Sequence, residues 1–348
     1  MSRKVENWFH YSGVIHVHTT ESDGTKTLEQ IAAIGQSVGL DFMMFTDHMT
    51  LSNRDAGKEG YYGNLLVTVG YEHNDPDDNN HYLIFGSPRV YPSRMSATEY
   101  VAASAKDKAL GIIAHPDEIR DRKGKYPPYP WTDWSPTDFD GIELWNQMSE
   151  WMERLGKYNR LSMAFSPRKS MIGPTNRLLK QWDEISNSRK YVGLASVDAH
   201  AFPIRVGPFT VAIFPYKVHF RSLRSYIILD QPLSPDLATA REQLFQAFRE
   251  CRVYFANLRW GDASEFIFYA DNGRERVPSG GELALSPSAQ FVAKLPSKAA
   301  IRLIKDGSEI MSTTAREMVY EVSRPGLYRL ETRKWGRGWI FTNHIRII

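Results

Sequence analysis

Residues 13–24 read GVIHVHTTESDG, an apolar run that carries two histidines and is followed by an acid and a glycine. Successive side chains of a strand point to opposite sides, so His16 and His18 present two imidazoles to one space. This geometry suits chelation of a metal ion, and Asp23 follows near the predicted end of the strand. Pairs of histidines at this spacing also occur by chance, so their meaning depends on the rest of the chain.

Five further apolar runs end in, or pass through, residues that bind metals. They span residues 40–48, 65–72, 110–115, 139–145 and 191–200. Segments with helical spacing lie between several of these runs. Thr27 precedes one such segment, and Ser96 precedes another with Glu99 three residues later, which is a capping-box pattern. Strands and helices therefore alternate in this part of the chain.

This alternation predicts an α/β fold with a parallel β/α barrel. A closed or nearly closed barrel brings the carboxyl ends of its strands to one rim, where the metal-binding groups would meet. An open, doubly wound sheet is the alternative, but it would spread six strand ends too widely for a single site.

The pattern of apolar residues changes after Asn257. Short apolar runs such as SEFIFYAD and AQFVAKL are separated by turns such as KDG and RPG, without a long helical period. We therefore predict two domains: a barrel over residues 1–258 and a small antiparallel, sandwich-like β domain over residues 259–348. A chain of 348 residues is long enough for both.

Composition and charge exclude several classes of protein. Hydrophobic residues make up 42% of the chain and charged residues 24%, as in ordinary globular proteins. The formal net charge of +3, without long runs of like charge, argues against a nucleic-acid partner. We find neither a secretory signal nor a membrane-spanning run and expect a cytoplasmic protein without a membrane partner. Cys251 is the only cysteine, which excludes an internal disulfide, and the oligomeric state stays open.

The candidate metal ligands are nine histidines, aspartates and glutamates at or near the predicted strand ends. They are His16, His18, Asp23, His48, Glu72, His81, His115, Asp198 and His200. Burial of unpaired carboxylates and imidazoles together would cost several kcal/mol, which divalent cations usually offset. The set contains nitrogen and oxygen ligands but no thiolate, which suits Mn, Fe or Zn. Asp47, next to His48, is expected to orient an imidazole.

This set of motifs resembles the PHP superfamily, named for polymerase and histidinol phosphatase. The matching elements are HVHTTESDG, FTDH, GYE, HYLIFG, AHP and VDAH, in that order over roughly residues 10–215. The resemblance implies a distorted (β/α)7 barrel with two or three divalent metal ions. The trailing β domain, which ends in WGRGWIFTNHIRI, is similar to that of the carbaryl-hydrolase-type (CehA/McbA) branch of PHP metallohydrolases.

The resemblance also divides the nine ligands among three metals. It implies that the first metal takes His16, His18, Glu72 and Asp198, that Glu72 bridges to a second metal on His115 and His81, and that Asp23, His48 and His200 take the third. His81 is alternatively a proton donor, since not every relative uses this position as a ligand. Where some relatives have a histidine, this chain has Asp23.

Two metals close together lower the pKa of a bridging water and stabilise charge on the attacked atom, which suits hydrolysis of a phosphoester. We therefore predict a metal-dependent phosphoesterase that uses a metal-bridging hydroxide, with catalytic roles for Glu72, His81 and Asp198. Monoesters, diesters and triesters all remain open as substrates. Hydrolysis of a carbamate or carboxylic ester on the same metals is an alternative, and a noncatalytic PHP scaffold is a further one.

Several residues outside the ligand set are candidates for contact with a small-molecule ester substrate. Arg168, Lys169 and Arg205 could hold an anionic group, and Glu143 and Asn146 lie near a predicted strand end. The segment KYPPYPWTDWSP, residues 125–136, is a candidate wall or lid over the site. Tyr61 and Tyr62 are candidates for the same role. Large apolar walls of this kind would suit an aryl leaving group.

Overall fold

The apolar runs predicted as strands form strands in the computed structural model, which describes residues 3–120, 127–156, 158–206, 209–285 and 288–348. Side chains are described throughout these ranges except at residues 3, 160 and 204–211. The chain is mixed α/β, as predicted. No helix in the described ranges is both long and apolar enough to cross a membrane.

The strands follow one another from the amino end to the carboxyl end. They are β1 (Arg3–Val5), β2 (Trp8–Val17), β3 (Phe42–His48), β4 (Gly60–Tyr62), β5 (Leu65–His73), β6 (Tyr82–Phe85), β7 (Leu110–Ile113), β8 (Gly141–Asn146), β9 (Val192–Ser196), β10 (Pro203–Val206), β11 (Phe209–Ala212), β12 (Leu223–Leu229), β13 (Val253–Asn257), β14 (Ile267–Asp271), β15 (Arg276–Pro278), β16 (Glu282–Leu283), β17 (Ala289–Lys305), β18 (Ser308–Val322), β19 (Gly326–Lys334), β20 (Arg337–Thr342) and β21 (Ile345–Ile347).

The helices occupy the segments between the strands. They are α1 (Leu28–Ser37), α2 (Ser52–Asp55), α3 (Ala97–Lys106), α4 (Gln147–Arg154), α5 (Arg160–Phe165), α6 (Asn176–Ile185), α7 (Tyr216–His219) and α8 (Leu237–Arg249), with 3-10 turns at Pro167–Lys169 and Leu258–Trp260. The helix starts predicted after Thr27 and Ser96 are confirmed. Thr27 and Ser96 each form a capping box, with Gln30 and Glu99 respectively.

The chain packs as two compact units, each built from separate segments. We call Gly13–Met171 with Ala195–Leu223 the site unit, and Met1–Ser12 with Ile172–Leu194 and Arg224–Ile348 the C-terminal unit. The domain boundary at residue 258 stays a prediction.

Within the site unit, the strands that carry the candidate ligands lie side by side. β3 pairs in parallel with β2 and with β5, and β7 pairs in parallel with β8. β6 runs antiparallel to both β5 and β7, so it is the returning strand expected after the polar turn that follows Glu72. The register places His48 of β3 directly beside Glu72 of β5. The carboxyl ends of β3 and β5 therefore meet at one edge.

Within the C-terminal unit, most of the described strand pairs are antiparallel. β17 is the central element, because it pairs with β14, β18 and β19. The pair of β16 and β21 is parallel. Helix α6 belongs to this unit because Arg329 of β19 donates to both carboxylate oxygens of Asp183, at 2.7 and 2.8 Å.

Candidate metal centre

His16 and His18 converge through a bulge rather than through regular strand geometry. The pairing of β2 with β3 shifts register between Ile15 and Val17, and His16 has a φ of +69°. Left-handed backbone is uncommon for residues other than glycine, and a bulge re-aims a side chain. Both imidazoles are fully buried, with ring centroids 5.0 Å apart. The two histidines therefore lie close together as predicted, but a bulge brings them together and not the regular alternation of a strand.

The loop after His18 folds back on the strand end. A Cβ at Gly24 would lie 2.3 Å from the carbonyl oxygen of His18, so only glycine allows this approach. The fold brings Asp23 Oδ1 to 3.6 Å from His18 Nδ1. Asp23 Oδ2 lies 3.1 Å from His200 Nε2 and 3.8 Å from His48 Nε2.

Glu72 is the centre of the cluster and is almost completely buried. Five imidazoles surround its two carboxylate oxygens. Oε2 lies 2.9 Å from His16 Nε2, 3.3 Å from His18 Nε2 and 3.4 Å from His48 Nδ1, and Oε1 lies 2.6 Å from His81 Nδ1 and 3.2 Å from His115 Nε2. A carboxylate in these surroundings is a candidate ligand for divalent cations.

Asp198 supplies a second buried carboxylate to the same space. Its Oδ1 lies 3.5 Å from Nε2 of both His16 and His18, and 3.4 Å from His200 Nδ1. The φ of Asp198 is +49°, so it too stands where the regular strand has ended. Backbone strain of this kind clusters at functional sites.

All nine predicted ligands fall into four overlapping groups whose ligand atoms lie within 4.8 Å of one another. The groups are His18, Asp23, His48 and His200; His16, His18 and Glu72; His16, His115 and Asp198; and His48, Glu72 and His81. Both ring nitrogens of His18 and Nε2 of His81 are buried without a hydrogen-bond partner in the described part of the chain. Imidazole and carboxylate groups in this arrangement fit divalent cations.

The charges in the cluster support each other. Burial pulls the pKa of Glu72 upward, but the imidazoles of His16, His48 and His81 overcome it and hold this pKa well below its usual value. Burial acts in the same direction on Asp198, but the nearby imidazoles of His16, His18 and His200 hold its pKa well below the usual range. Both carboxylates are therefore ionised and available to cations.

The carboxylate of Glu143 holds two of the predicted ligands in place through hydrogen bonds. His16 Nδ1 donates to Oε1 of Glu143 at 2.8 Å, and the backbone N–H of His115 donates to Oε2 at 2.8 Å. Asn146 Nδ2 donates to the same oxygen at 2.8 Å, and its Oδ1 caps helix α4 by accepting from the N–H of Ser149. Glu143 therefore fixes two predicted ligands.

Asp47 binds a loop, whereas the sequence led us to expect contact with an imidazole. Its carboxylate accepts from the backbone N–H and the hydroxyl of Thr19, at 2.7 and 2.8 Å, and from the hydroxyl of Ser22 at 2.8 Å. Asn53 Nδ2 adds a bond of 3.0 Å. These contacts fix the segment that connects His18 to Asp23.

A cavity of about 450 Å³ opens in front of the cluster. Besides candidate ligands, it is lined by Asn74, Asp78, Glu118, Arg120, Tyr129, Met148, Met152 and Phe202. Tyr129 belongs to the predicted wall and stacks on His81 with a centroid distance of 4.9 Å, whereas residues 121–126 lie outside the described ranges. Phe202 stacks on His200 at 4.9 Å.

The remaining sequence candidates have other positions. Tyr61 and Tyr62 lie in β4, whose register pairs Tyr62 with Leu65 at the start of β5, at the opposite end from Glu72. Arg168 and Lys169 lie in a 3-10 turn and are not among the described residues that line the cavity. Arg205 lies in β10, and its side chain is outside the described part. Sequence reasoning missed Glu118 and Arg120, which follow the AHP motif in a loop without periodic signal.

No family model and no curated protein matches this chain at a significant level. A solved structure from Bacteroides vulgatus ATCC 8482, described as a two-domain protein containing a predicted PHP-like metal-dependent phosphoesterase, is 12% identical with a TM-score of 0.50. The alignment covers 99% of this chain and 97% of that one. The chain therefore shares the fold of that structure. The resemblance seen in the motifs is thus confirmed at the level of the fold.

Two further solved structures are more distant. One is from Bifidobacterium adolescentis ATCC 15703 and is described provisionally as a metal-dependent phosphoesterase; it is 14% identical, and the alignment covers 57% of this chain and 92% of that one. The other is PsfC from Pseudomonas syringae PB-5123, 11% identical over 68% of this chain and 98% of that one. Both have a TM-score of 0.37, which does not establish a shared fold.

Proposed function

We propose that this chain is a metal-dependent hydrolase that acts on phosphoesters. The observation that carries the proposal is the sharing of the Glu72 carboxylate among five imidazoles, four of them buried. A structural zinc site is usually closed and rich in cysteine, whereas this cluster has no cysteine and borders an open cavity. These features are typical of a catalytic centre with several metals.

Each part of the site has a proposed task. Glu72 and Asp198 would hold and space the cations, together with the histidines of the four groups. Two or three divalent ions of Mn, Zn or Fe would supply an activated water and stabilise negative charge at the attacked atom. Glu143 would keep Nε2 of His16 directed at the cluster by accepting from Nδ1. The alternative role of His81, donation of a proton to the leaving group, stays a prediction.

Three finer features of the fold are also proposed. We propose that the ligands sit on a distorted (β/α)7 barrel, that the C-terminal strands form a sandwich-like domain, and that the boundary lies near residue 258. We also keep the CehA/McbA-type branch as the proposed relationship. The small-molecule ester would place an aryl or other apolar leaving group against Met148, Met152 and Phe202, which line the cavity.

A specific observation favours a second candidate function, hydrolysis of a carbamate or carboxylic ester. The described lining of the cavity contains five carboxylates, from Asp23, Glu72, Asp78, Glu118 and Asp198, against one arginine, and it includes an apolar wall. An uncharged substrate would be compatible with such a lining. Metal ions of the same cluster serve either electrophile, so the two functions differ only in the substrate.

The test is to strip the protein with a chelator, reload it with Mn, Zn or Fe, and count the metal ions per chain by mass spectrometry. The loaded protein is then assayed with p-nitrophenyl phosphomonoester, diester and triester, an aryl carbamate and an aryl carboxylic ester. We expect two or three metals per chain and turnover of a phosphoester, both reduced in Asp198→Ala. Turnover of only the carbamate or carboxylic ester would favour the second candidate, and no metal or no turnover would favour the scaffold.

A further inference from the structure

The only lysine or arginine in the described lining of the cavity is Arg120, five residues after His115. Its side chain is 8% exposed. We infer that Arg120 binds the anionic group of the substrate, so that this site selects a phosphoester or a similar oxyanion over an uncharged ester. The inference rests on the proposed function and names a residue that determines its specificity.

The guanidinium has more donors than its described partners use. One terminal nitrogen of Arg120 donates to Oε1 of Glu118, whereas Nε is buried and has no hydrogen-bond partner in the described part of the chain. Arginine carries five N–H donors in a planar fork. A buried cation with unused donors is unfavourable unless a further acceptor completes its contacts. An oxyanion in the cavity would be that acceptor.

Glu118 also accepts hydrogen bonds from groups other than Arg120. Its Oε1 also accepts from the hydroxyl of Ser149 at 2.5 Å, and its Oε2 accepts from the backbone N–H of Tyr129 at 2.8 Å. One carboxylate therefore joins the loop after β7, helix α4 and the aromatic wall. We regard Glu118 as a positioning residue that holds the arginine against the cavity.

The backbone of this loop is held from a second side. The N–H of Ile119 donates to Oε1 of Glu153 at 3.0 Å. Glu118 and Ile119, the two residues before Arg120, are thus each fixed by a contact with another segment. A fixed arginine loses little freedom on binding, which favours two-point recognition of phosphoryl oxygens.

The chemistry of the other lining groups supports an anionic ligand at Arg120. The five carboxylates of the lining attract cations, and the candidate ligands among them are reserved for metals. Among the described lining residues, Arg120 is therefore the arginine that offers N–H groups to the substrate. A neutral carbamate or acetate ester has no charge to pair with it, whereas a phosphomonoester or phosphodiester does.

The experiment compares Arg120→Gln and Arg120→Lys with the wild type, all loaded with Mn. p-Nitrophenyl phosphate and p-nitrophenyl acetate serve as a charged and an uncharged substrate with the same leaving group. For Arg120→Gln we expect kcat/KM for the phosphate to fall about 10- to 100-fold more than kcat/KM for the acetate. Arg120→Lys keeps the charge but loses the planar fork, so we expect an intermediate loss.

The control variant is Arg89→Gln, which removes the same charge from the site unit. Arg89 is 66% exposed and lies 3.8 Å from Asp107, outside the described lining of the cavity. We expect wild-type kinetics with both substrates. Metal content and melting temperature are measured for every variant, and Arg120→Lys retains the test if Arg120→Gln does not fold.

Binding of inorganic phosphate, measured by calorimetry on the Mn-loaded protein, gives a readout besides activity. We expect Arg120→Gln to weaken phosphate binding about 10-fold or more at unchanged metal content. Equal losses on both substrates, or phosphate binding as in the wild type, would overturn the inference while leaving the proposed function intact. A wild type that turns over no ester contradicts the proposed function, and the phosphate titration then decides on Arg120 alone.

Discussion

His16 and Glu143 form a buried hydrogen bond of 2.8 Å, in which Nδ1 of the imidazole donates to Oε1 of the carboxylate. This bond fixes the orientation of the ring, so that Nε2 faces the cluster, 2.9 Å from Oε2 of Glu72. The other described contacts of Glu143, the backbone N–H of His115 and Nδ2 of Asn146, are also donors. Both carboxylate oxygens of Glu143 therefore act as hydrogen-bond acceptors.

The first prediction concerns Glu143→Gln. The amide nitrogen of the new side chain would confront at least one donor, so His16 or His115 should lose its fixed orientation. We expect metal affinity to fall about 10- to 100-fold, measured by competition with a chelator. Glu150→Gln is the matched control, because Glu150 accepts from Trp145 Nε1 at 2.7 Å and from Arg154 Nε at 3.0 Å. Wild-type affinity in Glu143→Gln would contradict the proposed support role.

The second prediction concerns Asp47→Asn. Asp47 accepts from Thr19, Ser22 and Asn53, and an amide in its place would direct N–H groups at these donors. The loop that ends at Asp23 should loosen, and we expect the group of His18, Asp23, His48 and His200 to lose its metal first. The metal content after dialysis should therefore fall by about one ion per chain, with a cost of about 1–3 kcal/mol in stability.

Asp55→Asn is the control for this experiment, since Asp55 is 66% exposed and pairs with its neighbour Arg54. It should keep the wild-type metal content. If Asp47→Asn also keeps it, Asp47 has no influence on the site through the loop.

The sequence was sufficient to predict which side chains cluster because their signal is local. His16 and His18 stand two residues apart in an apolar run, and the capping residues Thr27 and Ser96 mark helix starts without knowledge of the fold. Even so, the reason for the convergence was wrong in detail. His16 lies in a bulge with positive φ, and strand periodicity carries no information about such a residue.

Other parts of the site depend on contacts between distant segments. Glu118 accepts hydrogen bonds from Tyr129 and Ser149, which lie 11 and 31 residues away in the sequence. No periodic pattern in the sequence predicts contacts over such distances. Arg120 therefore has no recognisable signal in the sequence, whereas Arg168 and Lys169 are candidates on residue type alone. The placement of α6 with the C-terminal strands likewise depends on Asp183 and Arg329, which are 146 residues apart.

The third prediction concerns the ion pair of Asp183 and Arg329 within the C-terminal unit. Both side chains are 4% exposed, and His344 Nε2 also bonds Asp183 Oδ1 at 2.7 Å. Asp183→Asn should destabilise the protein by about 3–5 kcal/mol, because it leaves much of a buried guanidinium unpaired. Removal of the arginine as well, in Asp183→Asn with Arg329→Met, should recover part of this loss.

Urea unfolding of the two single variants, the double variant and the wild type measures the coupling energy. Strictly additive losses would show that the pair is not coupled. Lys180→Gln with Glu184→Gln serves as an exposed comparison, since these residues are 74% and 66% exposed and should contribute less than about 1 kcal/mol.

The fourth prediction concerns pH and His10 of the C-terminal unit. Burial lowers the pKa of His10 from 6.5 to about 4. Because Tyr254 donates to the carbonyl of Ala263, its hydroxyl accepts from His10 Nδ1 at 3.2 Å, which suits a neutral imidazole. In the unfolded chain this histidine takes up a proton below about pH 6.5. The contribution of His10 to stability is therefore complete above that pH and is lost as pH falls toward 4.

His10→Phe removes the titrating group and keeps a ring beside Tyr254, whose centroid lies 5.6 Å from that of His10. Unfolding free energies of the wild type and the variant are measured in urea at about pH 7 and pH 5. We expect the wild type to lose about 2 kcal/mol more than the variant between the two pH values, since the folded state resists protonation of His10. Equal losses in both proteins would mean that His10 becomes charged in the folded state without penalty, and that its burial has no part in the acid sensitivity of this unit.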